Sequence, residues 1–151
     1  QKIVINAGIG KQKEDNKAIE KIKKDMSLLS GQMPVVKNAK NDCIDLSAGK
    51  YFIDNANLVF CGDKGVSAGE KSYVKLNNVI IKDSNIGIAA KDSSVVDISK
   101  VDIDNSQTCV AAYNKKQEFL GAILNISKFN CKNFDIKINK DNSSRLKIND
   151  F

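Results

Sequence analysis

Ile86-Gly87-Ile88-Ala89-Ala90 decides the fold, because it returns in altered form along most of the chain. The counterparts are Asp42-Cys43-Ile44-Asp45-Leu46, Lys64-Gly65-Val66-Ser67-Ala68, Thr108-Cys109-Val110-Ala111-Ala112 and Phe134-Asp135-Ile136-Lys137-Ile138. The anchors Ile44, Val66, Ile88 and Val110 recur every 22 residues, and Ile136 follows after 26. A second set runs Leu76, Ile98, Ile126, with Ile-Ser-Lys at 98–100 and again at 126–128. Placing Ile98 over Ile126 locates an insertion of about six residues near Lys115–Gly121. A third set, Val79/Ile81, Val101/Ile103 and Phe129/Cys131, completes the unit.

Each unit holds three short alternating apolar segments separated by Asn, Asp, Ser and Gly. A fixed period of this size marks a solenoid. The Leu/Asn pattern and helix of leucine-rich repeats are missing, so short Ile/Val-rich segments stacking as parallel coils remain. At ~4.8 Å per coil, about five coils make a stack roughly 24 Å tall. The expectation is an all-β solenoid, a right-handed parallel β-helix of about five coils over residues 36–151, with inward ladders of anchors and Asn ladders at its turns.

Residues 1–35 read differently. Lys2-Ile3-Val4-Ile5-Asn6-Ala7-Gly8 suggests a short strand. Asp15 or Asn16 then caps an amphipathic helix bearing Ile19, Ile22, Met26 and Leu29 on one face. Gly31 and Pro34 end it. Such a helix is expected to cover the open end of the coils, as terminal elements of repeat arrays do. Together the two parts form one structural domain, and Gln1 in place of an initiator Met points to a piece of a longer protein.

The 151 residues include 24 Lys+Arg, 18 Asp+Glu, no His and no Trp, for a formal charge of +6. Without His there is no Ser-His-Asp or Cys-His system, no histidine metal site and no imidazole switch. Basic and acidic residues alternate except at Lys21, Lys23 and Lys24. That scatter, with Ile, Asn and Lys abundant as in low-GC bacterial genomes, argues against nucleic acid as a partner. No apolar run is long enough to insert in a membrane. Cys43 and Cys109 share a column three coils apart, as do Cys61 and Cys131, so each like pair lies roughly 14 Å apart. A disulfide needs Cα atoms within about 7 Å, so the cysteines read as free thiols.

The strings Asp42–Ser47, Cys61–Lys71 and Ile86–Asp92 resemble the right-handed parallel β-helix (pectate-lyase-like) superfamily, and more narrowly the β-helix modules of large bacterial surface or envelope proteins. The resemblance covers about residues 40–140. It implies polysaccharide lyases, hydrolases and epimerases, or carbohydrate-binding and adhesive stalks. This chain is shorter than most such enzymes, which leans against autonomous catalysis.

Counting outward from the anchors stacks Ala48, Glu70, Asp92, Asn114 and Lys140 in one column, and Ser47, Gly69, Lys91, Tyr113 and Asn139 beside it. Glu70 and Asp92 on adjacent coils suit a glycosidase carboxylate pair, with Lys91 as a candidate base. Lys71, Tyr113, Lys115 and Glu118 are the candidate binding residues around them, beneath the inserted loop. No resident cofactor or metal ligand set is expected, although the stacked carboxylates could take Ca²⁺. Paired charges such as Glu70-Lys71 and Lys91-Asp92 are equally what solvated β-helix turns look like. The small outward residues Asp45, Ser67, Ala89 and Ala111 form a flat face that suits a flanking domain, an assembly partner or a glycan, while Gly65 and Gly87 could simply relax a tight corner. The functional expectation is a non-enzymatic structural or interaction module of a bacterial envelope or secreted protein, with a glycan among its candidate ligands. The alternative is a polysaccharide lyase, hydrolase or epimerase using the carboxylate and lysine patch.

Overall fold

The computed structural model describes residues 41–149 and Lys21. The strand and capping helix expected before residue 36, and the boundary there, lie outside the described residues.

Among the described residues seven strands follow one another: β1 (Ile44–Ser47), β2 (Lys50–Val59), β3 (Lys64–Gly69), β4 (Tyr73–Lys91), β5 (Val95–Tyr113), β6 (Ile123–Lys140) and β7 (Arg145–Ile148). Every pairing between them is parallel, in the order β1-β3-β4-β5-β6-β7, with β2 also on β4. The result is an all-β parallel solenoid of about five turns. Strands β4 and β5 each run 19 residues because the ladder continues around the corners of a coil.

The register explains the core. Ile53, Leu76, Ile98, Ile126 and Ile148 stack in one column, and Val79, Val101 and Phe129 in the next. Leu58, Ile81, Ile103 and Cys131 form a third. These β-branched and leucine side chains lie on the inner face and are almost wholly buried in the central coils. Each pair of stacked side chains removes both partners from water at about 25 cal/mol per Å² of apolar surface.

Two corners set the turns. At the first, Phe60, Asp83, Asn105 and Asn133 have φ of 58°, 58°, 56° and 52°. Asp and Asn tolerate that left-handed conformation better than other residues with a Cβ. At the second, Ala48, Glu70 and Asp92 are left-handed, followed by Gly49, Lys71 and Ser93, also left-handed. Along the outside of the stack, carboxylates on one coil accept bonds from amides on the next: Asn77 to Asp54 at 2.7 Å, Asn125 to Asp97 at 2.8 Å and, at the first corner, Asn133 to Asp104 at 2.8 Å. An amide above a carboxylate avoids stacking like charges at one coil spacing.

Three details of the sequence reading change. The insertion shifts the last coil by 28 residues, so Ile138, not Ile136, lies on Val110, and Asp141, not Asn139, follows Tyr113 in its column. The cysteines are not free thiols: Cys43 bonds Cys61 and Cys109 bonds Cys131, with Cα separations of 5.2 and 6.3 Å. Cys43 and Cys109 are too far apart, as the column count requires, but Cys61 does not share the column of Cys131, which follows Leu58, Ile81 and Ile103, and both bonds run between different columns. Cys131 sits where Ile81 and Ile103 sit in earlier coils, and Cys109 continues the column of Gly65 and Gly87. In those earlier coils a Cβ on Gly65 or Gly87 would come within 2.8 or 2.7 Å of the Ile81 or Ile103 side chain. Glycine against isoleucine in the middle is therefore replaced by cysteine against cysteine toward the end. The third change concerns the small outward residues: Ser67, Ala89 and Ala111 are fully buried and offer no free face.

The disulfides close loops with separations of 18 and 22 residues, each worth about 3 kcal/mol through the unfolded chain. Cys109→Ser with Cys131→Ser is expected to lower unfolding stability by about that much in urea titrations, and reductant to do the same to the parent chain. Gly87→Ala is expected to cost about 1–3 kcal/mol by driving a methyl into Ile103 and the Cys109 carbonyl.

Candidate functional site

The residues singled out as a site gather around one loop, and the second left-handed corner positions them. Asp92 is the first of two left-handed residues there, which turns its carboxylate inward beneath residues 114–121. It is nearly buried, and its Oδ1 accepts bonds from the backbone N–H groups of Lys115 and Lys116 at 2.7 and 2.8 Å. Ser93, beside it, donates its backbone N–H to the Leu120 carbonyl at 2.8 Å and accepts the Leu120 N–H on Oγ at 2.7 Å. The coil below thus holds both arms of the loop.

The coil above holds its root. Asp141 Oδ2 accepts the Asn114 N–H at 2.6 Å, while Oδ1 accepts from the N–H groups of Ser143 and Ser144 and from the Ser143 hydroxyl. Partial burial opposes the charge on Asp141, but these donors outweigh it and hold its carboxyl at about 2. Asn114 donates its side-chain amide to the Phe119 carbonyl, closing the loop on itself. The exit is tight: a Cβ on Gly121 would stand 2.1 Å from the Ser143 carbonyl oxygen. Only glycine fits there.

Around the loop, Glu70 pairs with Lys116 rather than with Lys115, and that hydrogen bond raises the Lys116 pKa. The Lys71 ammonium lies 5.9 Å from the centre of the Phe119 ring. The Lys91 stem covers Gly69, and the half-buried Tyr113 has its phenol pushed up by desolvation. Lys115 and Glu118 are exposed. Glu70, Lys71, Asp92 and the loop are therefore brought together. Asp92 Oδ1 is engaged by the loop amides and Glu70 Oε1 by Lys116. Among the described residues, no three His, Cys, Asp or Glu stand together as a metal site.

Two clusters escaped the sequence reading. Tyr73 donates to Asp97 at 3.0 Å beside Lys75, Asn125 and Ser127, lining a shallow depression of about 300 Å³. The column was visible as the residue preceding Leu76, Ile98 and Ile126. Lys64 bridges Asp42 and Asp63; burial opposes its charge, yet the two carboxylates outweigh it and raise the pKa.

The coils are close to neutral, with fifteen basic and fourteen acidic residues over 42–151. Residues 1–41 carry nine lysines against four acids, so most of the chain's net positive charge lies there. A family match falls on nearly the same stretch. A family model for ribosomal protein L5 matches residues 1–45. The large ribosomal subunit protein uL5 of Clostridium acetobutylicum is 50% identical over 40 residues, 26% of this chain and 22% of that protein. Its counterpart in Thermus aquaticus is 33% identical over 64 residues, 42% of this chain and 35% of that protein. That of Thermoanaerobacter sp. is 38% identical over 64 residues, 42% and 36%. The chain thus spans about a third or less of the length of these relatives. No solved structure matches.

These matches overturn four expectations. The similarity of residues 1–45 to ribosomal protein L5 runs against the envelope or secreted glycan-binding module and its polysaccharide-active alternative. It removes the support for an envelope or secreted location and for a carbohydrate-binding, pectate-lyase-like description. It also reverses the exclusion of nucleic acid. That exclusion failed because the charge was weighed over the whole chain, where the balanced coils dilute the lysines of the first 41 residues.

Asp92→Asn is expected to cost about 1–3 kcal/mol, since a neutral amide supports the two loop N–H groups less well, and to expose residues 115–120 to limited proteolysis. Asp141 gives a pH signature. Its folded pKa of about 2 lies below the ordinary 3.8, so its contribution is complete above 3.8 and fades as pH falls toward 2. Urea titrations at stepped pH should show Asp141→Asn less stable than the parent at neutral pH, with the gap closing across that window.

Proposed function

We propose that this chain works at the large ribosomal subunit, with residues 1–45 as the docking segment and the coils as a rigid body held beside it. The observation that carries this reading is the similarity of residues 1–45 to ribosomal protein L5. The nine lysines of residues 1–41 fit it physically, because Lys side chains bind nucleic-acid phosphates by displacing counterions. Ribosomal RNA and neighbouring ribosomal proteins are then the partners.

Two finer structural readings belong with this proposal. The coil is right-handed, as parallel strand connections almost always are. The stripe of Ile19, Ile22, Met26 and Leu29 covers the first coil as a helical cap. At 100° per residue, Lys17, Lys21 and Lys24 fall on the opposite side of such a helix. The apolar face then meets the solenoid while the basic face meets RNA.

Co-sedimentation with purified bacterial large subunits tests the proposal. The parent chain should pellet with the subunit and be released by salt. Lys17→Glu, Lys21→Glu and Lys24→Glu together should weaken binding by at least about tenfold, since three phosphate contacts are lost. Parent chain that stays in the supernatant, or a triple variant that pellets equally well, would count against it.

A further inference from the structure

The two disulfides occupy unlike places in the stack. Cys43–Cys61 closes the first coil, and both of its cysteines are buried, at 4% and 5% exposure. Cys109–Cys131 closes the last full coil, where Cys109 is wholly buried and Cys131 is partly exposed. The exposure follows from the upper edge of the stack. Ile81 lies beneath Ile103 and Ile103 beneath Cys131. Strand β7 pairs only with residues 123–126 of β6, so among the described residues no strand pairs with Cys131 from above.

One side chain reaches across that opening. Lys137 stands over Cys109 in its column, between the stacked pairs Thr108–Ile136 and Val110–Ile138. Its ammonium lies 5.5 Å from the centre of the Phe129 ring, and Phe129 is the inward residue next to Cys131 on β6. A lysine rooted above one cysteine and ending beside the neighbour of the other keeps a positive charge close to the bridge. Both features bear on thiol–disulfide exchange. The attacking thiolate must reach a sulfur, and the departing sulfur leaves as a thiolate, which a nearby cation stabilises. Cys131 offers the point of attack, and Lys137 stands over the cysteine that departs.

We propose that Cys109–Cys131 is a reversible exchange site for low-molecular-weight thiols of the glutathione class, attacked at Cys131 and assisted by Lys137, while Cys43–Cys61 is a purely structural bond. In the first step the reagent thiolate bonds to Cys131 Sγ, the bond between the two Sγ atoms breaks, and its electron pair leaves on Cys109. Cys109 then takes up a proton equal to the one the reagent thiol gave to solvent. In the second step another reagent thiolate attacks the reagent sulfur of the mixed disulfide, and Cys131 departs and is protonated in turn. Two reagent thiols end as one disulfide, and the bridge has gained two electrons and two protons. The oxidised reagent closes the bridge by the reverse steps. The site stands independently of the ribosomal reading.

The full chain incubated with glutathione at neutral pH without denaturant, alkylated at intervals and mapped by peptide mass spectrometry, tests it. Circular dichroism confirms that each variant keeps its strands. Cys109–Cys131 should open at least about tenfold faster than Cys43–Cys61, because a buried bond reacts only after local unfolding. The glutathione adduct should sit on Cys131, and oxidised glutathione should restore the bridge. Lys137→Gln should slow the opening by about threefold, as expected when a departing thiolate loses one nearby cation, and Lys137→Arg should return it to the parent rate. Neither variant should change the rate at Cys43–Cys61. A lysine that only covered the bridge would give the opposite sign, with Lys137→Gln opening faster. The proposal is overturned if the two bonds open together or Cys43–Cys61 opens first, or if the adduct sits on Cys109. It is equally overturned if the bridge does not re-form, if Lys137→Gln opens as fast as the parent or faster, or if Lys137→Arg is as slow as Lys137→Gln.

Discussion

The constraint on which the rest of the structure depends is parallel register at a fixed coil length. Once Val79 lies on Val101 and Ile81 on Ile103, every other residue of the coil is assigned a neighbour above and below. A one-residue slip would turn the inner face outward, so the apolar alternation holds the register against errors. The left-handed corner residues serve the same end, because they let the chain bend without interrupting the ladder. An insertion is tolerated only where it leaves the stack. Residues 114–121 do so at the corner where Asp92 and Asp141 receive the backbone donors that the departing chain would otherwise leave unpaired.

Regularity also explains which parts of the fold were legible. The central columns could be read by counting, since Leu76, Ile98 and Ile126 differ little and stand in corresponding places. The last coil was misplaced by two residues because Ile136 and Ile138 have the same parity and similar side chains, so the apolar pattern alone did not separate them. The disulfides were missed for a related reason. Counting along columns tests a cysteine against its own column, whereas Cys109 meets Cys131 across two columns where Gly87 meets Ile103 one coil earlier. Small-against-large complementarity at the preceding coil was the available signal.

The candidate site was legible as a location. Glu70, Asp92 and the inserted loop do come together, because adjacent coils and a shared corner require it. The roles of the side chains were not legible from spacing. A carboxylate at a left-handed corner can point outward to solvent or inward to a loop, and the difference for Asp92 is made by two backbone N–H groups supplied from 23 and 24 residues away. The similarity to ribosomal proteins was hidden by averaging. The charge and the similarity both concentrate at the start of the chain, while the repeat that draws attention lies after it.

The chain therefore combines a lysine-rich segment similar to a ribosomal protein with a nearly neutral, disulfide-closed stack of coils. In the proposed arrangement the first part makes the contact and the second does not. Lysine-directed cross-linking of the chain to large ribosomal subunits, read out by mass spectrometry, tests that division most directly. The account predicts cross-links from lysines between Lys2 and Lys40 to the subunit, with those of the coils, such as Lys82 and Lys100, unlinked to it. Cross-links arising chiefly from the coils, or none to the subunit at all, would contradict it.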